Sequence, residues 1–105
     1  MEIINVIEAK EILEDNLGND DFEFIDVRSP LEHKEGHIRG CRLIPLEELD
    51  SYLDSFDKKK KYLLYCRSGG RSSMACQMME AKGMKTINMQ GGIIDWAEEG
   101  FEIVR

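Results

Sequence analysis

The chain has 105 residues, is 42% hydrophobic, and carries a formal net charge of -7 with a pI near 4.8. These values predict one globular domain over residues 1–105 with its own core, and they argue against nucleic acid or an anionic membrane as a partner. Three cysteines without paired spacing favour free thiols, and the N-terminus lacks the pattern of a signal peptide. We therefore expect a cytoplasmic monomer.

The first half of the chain alternates strand and helix patterns. Asn5 with Glu8 has the spacing of a capping box, and so has Ser29 with Glu32, where Pro30 occupies the first helical position. The predicted elements are a strand at 3–4, a helix over 5–15, a buried parallel strand over 22–27 and a short helix from 29.

The second half continues the alternation. Its predicted elements are a strand over 41–44, a helix over 45–56, a strand over 62–65, a helix over 72–82, a strand over 84–89, a helix from 92 that ends at Gly100, and a C-terminal tail. In the helix over 72–82, the residues predicted to face inward are Met74, Ala75, Met78 and Met79. The alternation as a whole predicts an α/β fold with a mainly parallel sheet.

The segment that follows the strand over 62–65 has the features of an anion site that contains a sulfur atom. Cys66 stands at the carboxyl end of the strand, and the next residues are Arg67, Ser68, Gly69, Gly70, Arg71 and Ser72. The glycines let successive N–H groups point inward, and a helix N-terminus favours negative charge. Both effects, with the two arginines, favour a thiolate, so the pattern predicts Cys66 to be a nucleophile.

The length of this loop separates two kinds of chemistry. Protein tyrosine phosphatases place five residues between their nucleophilic cysteine and the arginine that binds phosphate, whereas four residues separate Cys66 from Arg71. A shorter loop suits a smaller bound group, which counts against phosphatase chemistry.

Three separate segments resemble the rhodanese family of sulfurtransferases. They are the loop from Cys66 to Ser72, the segment that contains Asp26-Val27-Arg28 and Glu35-Gly36-His37-Ile38, and the C-terminal element Gly91-Gly92 with Trp96. The resemblance covers nearly the whole chain. It implies a rhodanese-like α/β fold with a five-stranded, mainly parallel central sheet and helices on both faces.

The resemblance also implies an activity. In this family the cysteine takes a sulfane sulfur from thiosulfate or a related donor, holds it as a persulfide, and passes it to a thiol or cyanide. Carried over to this chain, Cys66 is the catalytic residue, the loop residues 67–72 bind the substrate and the persulfide, and no cofactor or metal is needed. By the same analogy we expect Asp26 and Arg28 to lie near the loop, with Arg28 pairing with Glu32 to brace it.

Two alternatives stay open. The domain could be a non-catalytic or sulfur-carrier module that binds a protein partner, or a cysteine-dependent phosphatase or arsenate reductase on the same fold. We expect His37 to be structural, because sulfite is a good leaving group that needs little proton transfer. Cys41 is interpreted as a small buried residue, since free cysteines are often buried. Cys76 is interpreted as structural, since it lies about three helical turns from Cys66, too far for easy disulfide closure.

Overall fold

The computed structural model describes residues 1–105 and contains five strands and five helical segments. In chain order they are β1 (Glu2–Ile4), α1 (Val6–Asp15), β2 (Phe22–Asp26), α2 (Pro30–Glu35), β3 (Arg42–Leu43), a 3₁₀ segment (Leu46–Ser55), β4 (Lys61–Tyr65), α3 (Gly70–Ala81), β5 (Lys85–Met89) and α4 (Gly92–Glu98). The strand limits agree with the predicted ones to within two residues.

The five strands form one sheet in the order β1-β5-β4-β2-β3, and every neighbouring pair is parallel. Parallel neighbours need crossover connections, which place helices over both faces of the sheet. The predicted fold class, an α/β domain with a five-stranded parallel sheet, is confirmed. β4 is the central strand, so the residue that follows it emerges in the middle of the carboxyl edge.

Two apolar clusters cover the two faces of the sheet. One lies under α3 and the 3₁₀ segment, and the other under α1 and α4. Side chains along β4 alternate between them: Tyr62, Leu64 and Cys66 belong to the first cluster, and Leu63 and Tyr65 belong to the second. Cys66 therefore points to the face that α3 covers.

Both predicted capping boxes are present. The Asn5 side chain accepts a hydrogen bond of 2.8 Å from the Glu8 N–H, and the Ser29 hydroxyl accepts one of 3.2 Å from the Glu32 N–H. In each box the glutamate returns a hydrogen bond to the backbone of the capping residue. These contacts fix the starts of α1 and α2.

The helix after the loop differs from its prediction in two respects. It begins at Gly70 rather than at Ser72, because Gly69 adopts the left-handed conformation (φ 118°) and turns the chain into the helix two residues early. Met74, predicted to face inward, is 56% exposed. The buried face follows helical spacing through Ser72, Ala75, Cys76 and Met79, and Met74 lies off it.

The segment over 46–55 was predicted as an ordinary helix and is a 3₁₀ helix. Leu46, Leu49 and Tyr52 are spaced by three residues and pack against the same cluster, which matches the period of a 3₁₀ helix. The Ser51 hydroxyl also donates to the carbonyl oxygen of Glu48, three residues back, at 2.7 Å.

The C-terminal residues are held against the domain. The Trp96 indole N–H donates to the Glu102 carbonyl oxygen at 2.8 Å, and His37 and Val104 form an antiparallel bridge. This places the tail beside the C-terminal end of α2. None of the helices has the length and apolar character needed to cross a membrane.

Candidate active site

Cys66 occupies the central position at the carboxyl edge of the sheet. It follows β4 directly and is 1% exposed, while Arg67 and Ser68 above it are exposed. The loop then enters α3, whose N-terminus points at the same region. The position is the one where parallel α/β sheets gather ligands.

Two groups of the loop contact the Cys66 sulfur. The Gly69 N–H donates to Sγ at 3.1 Å, and the Ser72 hydroxyl oxygen lies 3.4 Å from it. Burial opposes ionisation of this thiol, but hydrogen bonds from Ser72, Gly69 and Ser68 outweigh it and hold the pKa of Cys66 below its usual value. The arrangement stabilises a thiolate in a site that excludes most water.

Ser72 is also connected to the neighbouring strand. Its hydroxyl lies 2.6 Å from Oδ1 of Asn88 on β5, and the Asn88 amide donates to the Gly69 carbonyl oxygen at 3.3 Å. Asn88 is 4% exposed. A single buried amide thus contacts both ends of the turn that surrounds the sulfur.

The two arginines of the loop have different surroundings. Arg71 makes a bidentate ion pair with Glu32 of α2, with distances of 2.6 and 2.9 Å. Hydrogen bonding from Arg71 lowers the pKa of Glu32 to about 2. Arg67 is exposed and makes no ion pair with a carboxylate, so its guanidinium is the more available of the two for an incoming anion.

The predicted pairing of Arg28 with Glu32 is wrong. Arg28 instead pairs with Asp26, with 2.8 Å between its guanidinium and Oδ2, and it donates to the Gly36 carbonyl oxygen at 2.6 Å. Asp26 is fully buried, so it needs a close cation, and Arg28 two residues later supplies one. Glu32 is left to Arg71, and it braces the loop through that residue.

The Asp26 carboxylate organises the end of β4. It accepts hydrogen bonds at 3.0 Å from the Tyr65 hydroxyl and from the His33 ring. Burial works to raise the pKa of Asp26, but the hydrogen bonds from Arg28 and His33 hold it below its usual value. Because Tyr65 immediately precedes Cys66, this cluster fixes the backbone from which the thiol projects.

His37 contacts the same cluster from outside. Its ring stacks on that of His33 with 3.8 Å between centroids, and its Nδ1 donates to the His33 carbonyl oxygen at 2.9 Å. These contacts orient His33 towards Asp26.

Asp26, His33 and Cys41 offer ligand atoms within 4.8 Å of one another, which is close enough for a metal ion. Asp26 already accepts hydrogen bonds from Arg28, His33 and Tyr65, and the Arg28 cation already balances its charge. The donor set therefore fits a hydrogen-bonded brace better than a metal centre.

The other two thiols differ from Cys66. Burial raises the pKa of Cys76 to about 11, and burial also raises the pKa of Cys41, whose sulfur lies 3.5 Å from the Tyr65 hydroxyl. All three cysteines are free. Of the three, only Cys66 has a lowered pKa.

The Gly91-Gly92 turn passes closely behind the loop. A Cβ atom at Gly92 would meet the carbonyl oxygens of Cys66 and Arg67, and Gly92 has a φ of 58°. The Ile93 and Ile94 N–H groups donate to those same carbonyl oxygens at 3.0 and 3.2 Å. The start of α4 therefore supports the backbone of the loop.

A cleft of about 350 Å³ lies beside the loop, between α2, α4 and the C-terminal tail. Arg67, Arg28 and Glu32 line its polar side, and Ile93, Ile94 and Ile103 line its apolar side. The cleft gives a ligand access to the Arg67 side of the loop.

Sequence reasoning identified the loop but missed three residues around it. Asn88, Tyr65 and His33 all contact either the loop or the cluster beneath it. A signal for Asn88 was available, since it is a lone amide within the apolar core of β5. The contacts of Tyr65 and His33 depend on tertiary packing and have no local pattern.

The chain matches the rhodanese-like domain family over residues 9–99. It belongs to that family. A sulfurtransferase of Allochromatium vinosum is 30% identical over 103 residues, which cover 97% of this chain and 96% of that protein. A Bacillus subtilis protein provisionally named as a sulfurtransferase is 35% identical over 96 residues, which cover 91% of this chain and 90% of that protein. A sulfurtransferase function is therefore supported for this rhodanese-like chain.

Solved structures agree with this assignment. A rhodanese-like domain protein from Staphylococcus aureus superposes with a TM-score of 0.83 at 33% identity, covering 100% of both chains. Other proteins similar to this chain have different names. A Rhodopseudomonas palustris protein described as a possible tyrosine phosphatase has a TM-score of 0.88 at 25% identity, covering 99% of this chain and 85% of that chain. A Bacillus subtilis protein provisionally named as a sulfur carrier is 33% identical over 79 residues, which cover 74% of this chain and 43% of that protein.

Proposed function

We propose that this rhodanese-like domain transfers a sulfane sulfur from thiosulfate or a related donor to a thiol or cyanide acceptor through a persulfide on Cys66. The observation that carries the proposal is the buried Cys66 sulfur, which accepts from the Gly69 N–H and whose pKa is lowered by the hydrogen bonds around it. A stabilised thiolate is the form that attacks sulfur.

In the first step the Cys66 thiolate attacks the outer sulfur of thiosulfate. The new bond joins the two sulfur atoms, the S–S bond of thiosulfate breaks, and sulfite leaves with the electron pair of that bond. Sulfite is stable as an anion, so the step needs no general acid. This is consistent with a site in which His37 contacts His33 rather than the loop.

The persulfide that forms is itself an anion. The N–H groups of the loop from Arg67 to Ser72 are the donors available to hold it, at the positive end of α3. Arg67 is the loop cation without a carboxylate partner, and we assign it the attraction of the donor. Arg71 maintains the loop through its pair with Glu32.

In the second step an acceptor thiolate or cyanide attacks the outer sulfur of the persulfide. The Cys66 thiolate leaves and is regenerated, and the sulfur departs as a persulfide of the acceptor or as thiocyanate. No cofactor enters this double displacement. A protein thiol as acceptor requires that the loop be reached by another macromolecule, and the exposure of Arg67 and Ser68 permits it.

The first test is the intact mass of the purified protein after incubation with thiosulfate and removal of excess donor, without reductant. We expect a gain of one sulfur atom that cyanide discharges. The Cys66→Ser variant should show no gain, and Cys76→Ser is the matched control because its thiol is buried with a raised pKa. Addition of a sulfur atom to the Cys66→Ser variant, or sulfur transfer by that variant at a rate comparable to the wild-type protein, would exclude the mechanism.

One second function has specific support. The relative named as a sulfur carrier supports a second candidate, in which the domain carries sulfur to a protein partner. The ratio of thiosulfate:cyanide turnover to transfer onto a protein thiol separates the two. Persulfide formation with negligible cyanide turnover would favour the carrier.

Phosphatase chemistry has weaker support in this chain. The neighbour described as a possible tyrosine phosphatase shares the fold, but only four residues separate Cys66 from Arg71, and Arg71 is engaged by Glu32. Hydrolysis of an aryl phosphate that disappears in Cys66→Ser would reverse this ranking.

A further inference from the structure

The Ser72 hydroxyl has three acceptors within reach and one proton to give. Asn88 Oδ1 lies at 2.6 Å, the Gly69 carbonyl oxygen at 3.2 Å and Cys66 Sγ at 3.4 Å. A hydroxyl donates one hydrogen bond at a time, so these acceptors compete. The shortest contact is the one to Asn88.

The orientation of the Asn88 amide is fixed by its other contact. Its nitrogen lies 3.3 Å from the Gly69 carbonyl oxygen, which can only accept. The reversed amide would place two oxygens against each other there. Oδ1 must therefore face Ser72, and Asn88 acts as an acceptor for that hydroxyl.

We propose that Asn88 is a positioning residue that directs the Ser72 hydroxyl, and that this hydroxyl turns from Asn88 to the Cys66 sulfur when the sulfur becomes anionic. With a neutral thiol, Ser72 donates to Asn88 and its oxygen can accept from the Cys66 S–H. When the thiol proton leaves to solvent, the Ser72 proton swings to Sγ and the Asn88 bond is given up. Asn88 thereby sets how much Ser72 stabilises the thiolate.

Other ionisable groups near Cys66 lie on α3, on α2 and in the loop. From α3, Arg71 and Cys76 are close enough to interact electrostatically with Cys66; from α2, Glu32 neutralises Arg71; and Arg67 lies in the loop itself. Cys76 stays neutral because burial raises its pKa to about 11. Substitution of Asn88 leaves each of these groups in place.

The first test is the pKa of Cys66 in the Asn88→Asp variant, measured as the pH dependence of its alkylation by iodoacetamide. Trypsin separates the three cysteines, because Cys41, Cys66 and Cys76 fall in the peptides 40–42, 62–67 and 72–82. Mass spectrometry of each peptide then reports each thiol on its own. Asn19→Asp is the matched control, since Asn19 lies in an exposed turn that precedes β2, at the opposite edge of the sheet.

We expect Asn88→Asp to raise the pKa of Cys66 by roughly one unit or more, because a carboxylate holds the Ser72 proton more strongly and adds a nearby negative charge. Asn19→Asp should leave it unchanged. A Cys66 pKa that is the same in the folded Asn88→Asp variant and the unchanged protein would overturn the proposal.

A second measurement applies even if a buried carboxylate prevents folding. Ser72→Ala is introduced both into the unchanged protein and into Asn88→Leu, which has similar volume and no acceptor. Removing the hydroxyl should raise the Cys66 pKa in both backgrounds. The rise should be about half a pKa unit larger in Asn88→Leu, because in that background Ser72 loses no hydrogen bond to Asn88 when it donates to the sulfur. Equal shifts in the two backgrounds would show that Asn88 and Ser72 act independently.

This inference rests on the proposed role of Cys66, but its readout is alkylation and not sulfur transfer. If the Cys66 pKa responds to Asn88 while thiosulfate leaves the intact mass unchanged, the proposed function fails and the positioning role stands. If sulfur is transferred and the Cys66 pKa does not respond to Asn88, the positioning role fails and the proposed function stands.

Discussion

The ionisation of Cys66 depends on hydrogen bonds more than on nearby charge. Sequence patterns suggested that Arg67, Arg71 and the helix dipole would together favour the thiolate. In the structure Arg71 is neutralised by Glu32, whereas Ser72, Gly69 and Ser68 supply the hydrogen bonds that lower the pKa of Cys66. Because the sulfur is buried, such bonds carry more weight than they would in water. A salt-resistant thiolate is the expected consequence, since buried interactions are screened less.

Arg67 and Arg71 should respond differently to mutation. We predict that Arg67→Gln raises KM for thiosulfate about tenfold with little change in kcat, since a charge-assisted contact contributes roughly 1.5 kcal/mol and here holds the donor before reaction. Steady-state kinetics of thiocyanate formation measure both constants.

The control for this variant is Arg39→Gln, which removes the same charge from an exposed pair with Glu102 that does not line the cleft beside the loop. Its KM should stay near that of the unchanged protein. Equal effects in the two variants would mean that Arg67 acts only through the net charge of the molecule.

Individual site residues were predictable where a short pattern contains them. Cys66, its glycines and its arginines are consecutive, so the loop could be identified from sequence. The partner of Glu32 could not, because Arg71 is 39 positions away and only the packing of α2 against the loop brings them together. The pairing of Arg28 with Glu32, expected by analogy with the family, was wrong because the buried Asp26 had the stronger requirement for a cation.

Among the secondary-structure elements, the start of α4 is packed most closely against the loop. We predict that Gly92→Ala costs roughly 2 to 5 kcal/mol of unfolding free energy, from a left-handed backbone and from a Cβ that meets the carbonyl oxygens of Cys66 and Arg67. Urea unfolding measures the loss, and alkylation of Cys66 reports the displaced loop.

Gly100→Ala is the matched control for Gly92→Ala. Gly100 also has a positive φ, 77°, but a Cβ there meets nothing within 4 Å. We expect it to cost only the backbone strain, about 1 kcal/mol. Similar losses in the two variants would mean that the contact with the loop is unimportant.

Element types were predicted well where capping and periodicity agree, as in α1 and α2 with their capping boxes. They were predicted less well where a glycine sets the start of a helix or where the spacing of apolar residues sets the type of helix. Gly69 begins α3 two residues early, and the three-residue apolar spacing of Leu46, Leu49 and Tyr52 selects a 3₁₀ helix. Neither choice follows from helix propensity alone.

For the whole molecule, the parallel topology explains why residues distant in sequence form one site. β2, β4 and β5 are adjacent, and their carboxyl ends carry or lead into Asp26, Cys66 and the Gly91-Gly92 turn. Alternation of strand and helix predicts such an arrangement, but not the strand order that makes β4 central. That order results from the long-range packing of the two apolar clusters.

Three titratable groups with shifted pKa values predict how the stability of the whole molecule depends on pH. Asp26 and Glu32 have lowered pKa values, about 2 for Glu32, against ordinary values of 3.8 and 4.5. Their contribution to stability is complete above those ordinary values and is lost as the pH falls below them and through the lowered folded-state pKa values. Cys76, with a pKa of about 11 against 9.0, has the opposite effect: above pH 9.0 its thiol ionises in the unfolded chain first, so stability falls as the pH rises.

Urea unfolding under reducing conditions at about pH 3, 7 and 10 should therefore give the largest free energy of unfolding near neutrality. Cys66→Ser is the suitable background, because the lowered pKa of Cys66 acts in the opposite direction in alkali. Adding Cys76→Ala should lower stability at pH 7 through the cavity it leaves, yet flatten the alkaline decline. An alkaline decline of undiminished slope in that variant would assign the effect to Tyr65 or Cys41, whose pKa values burial also raises.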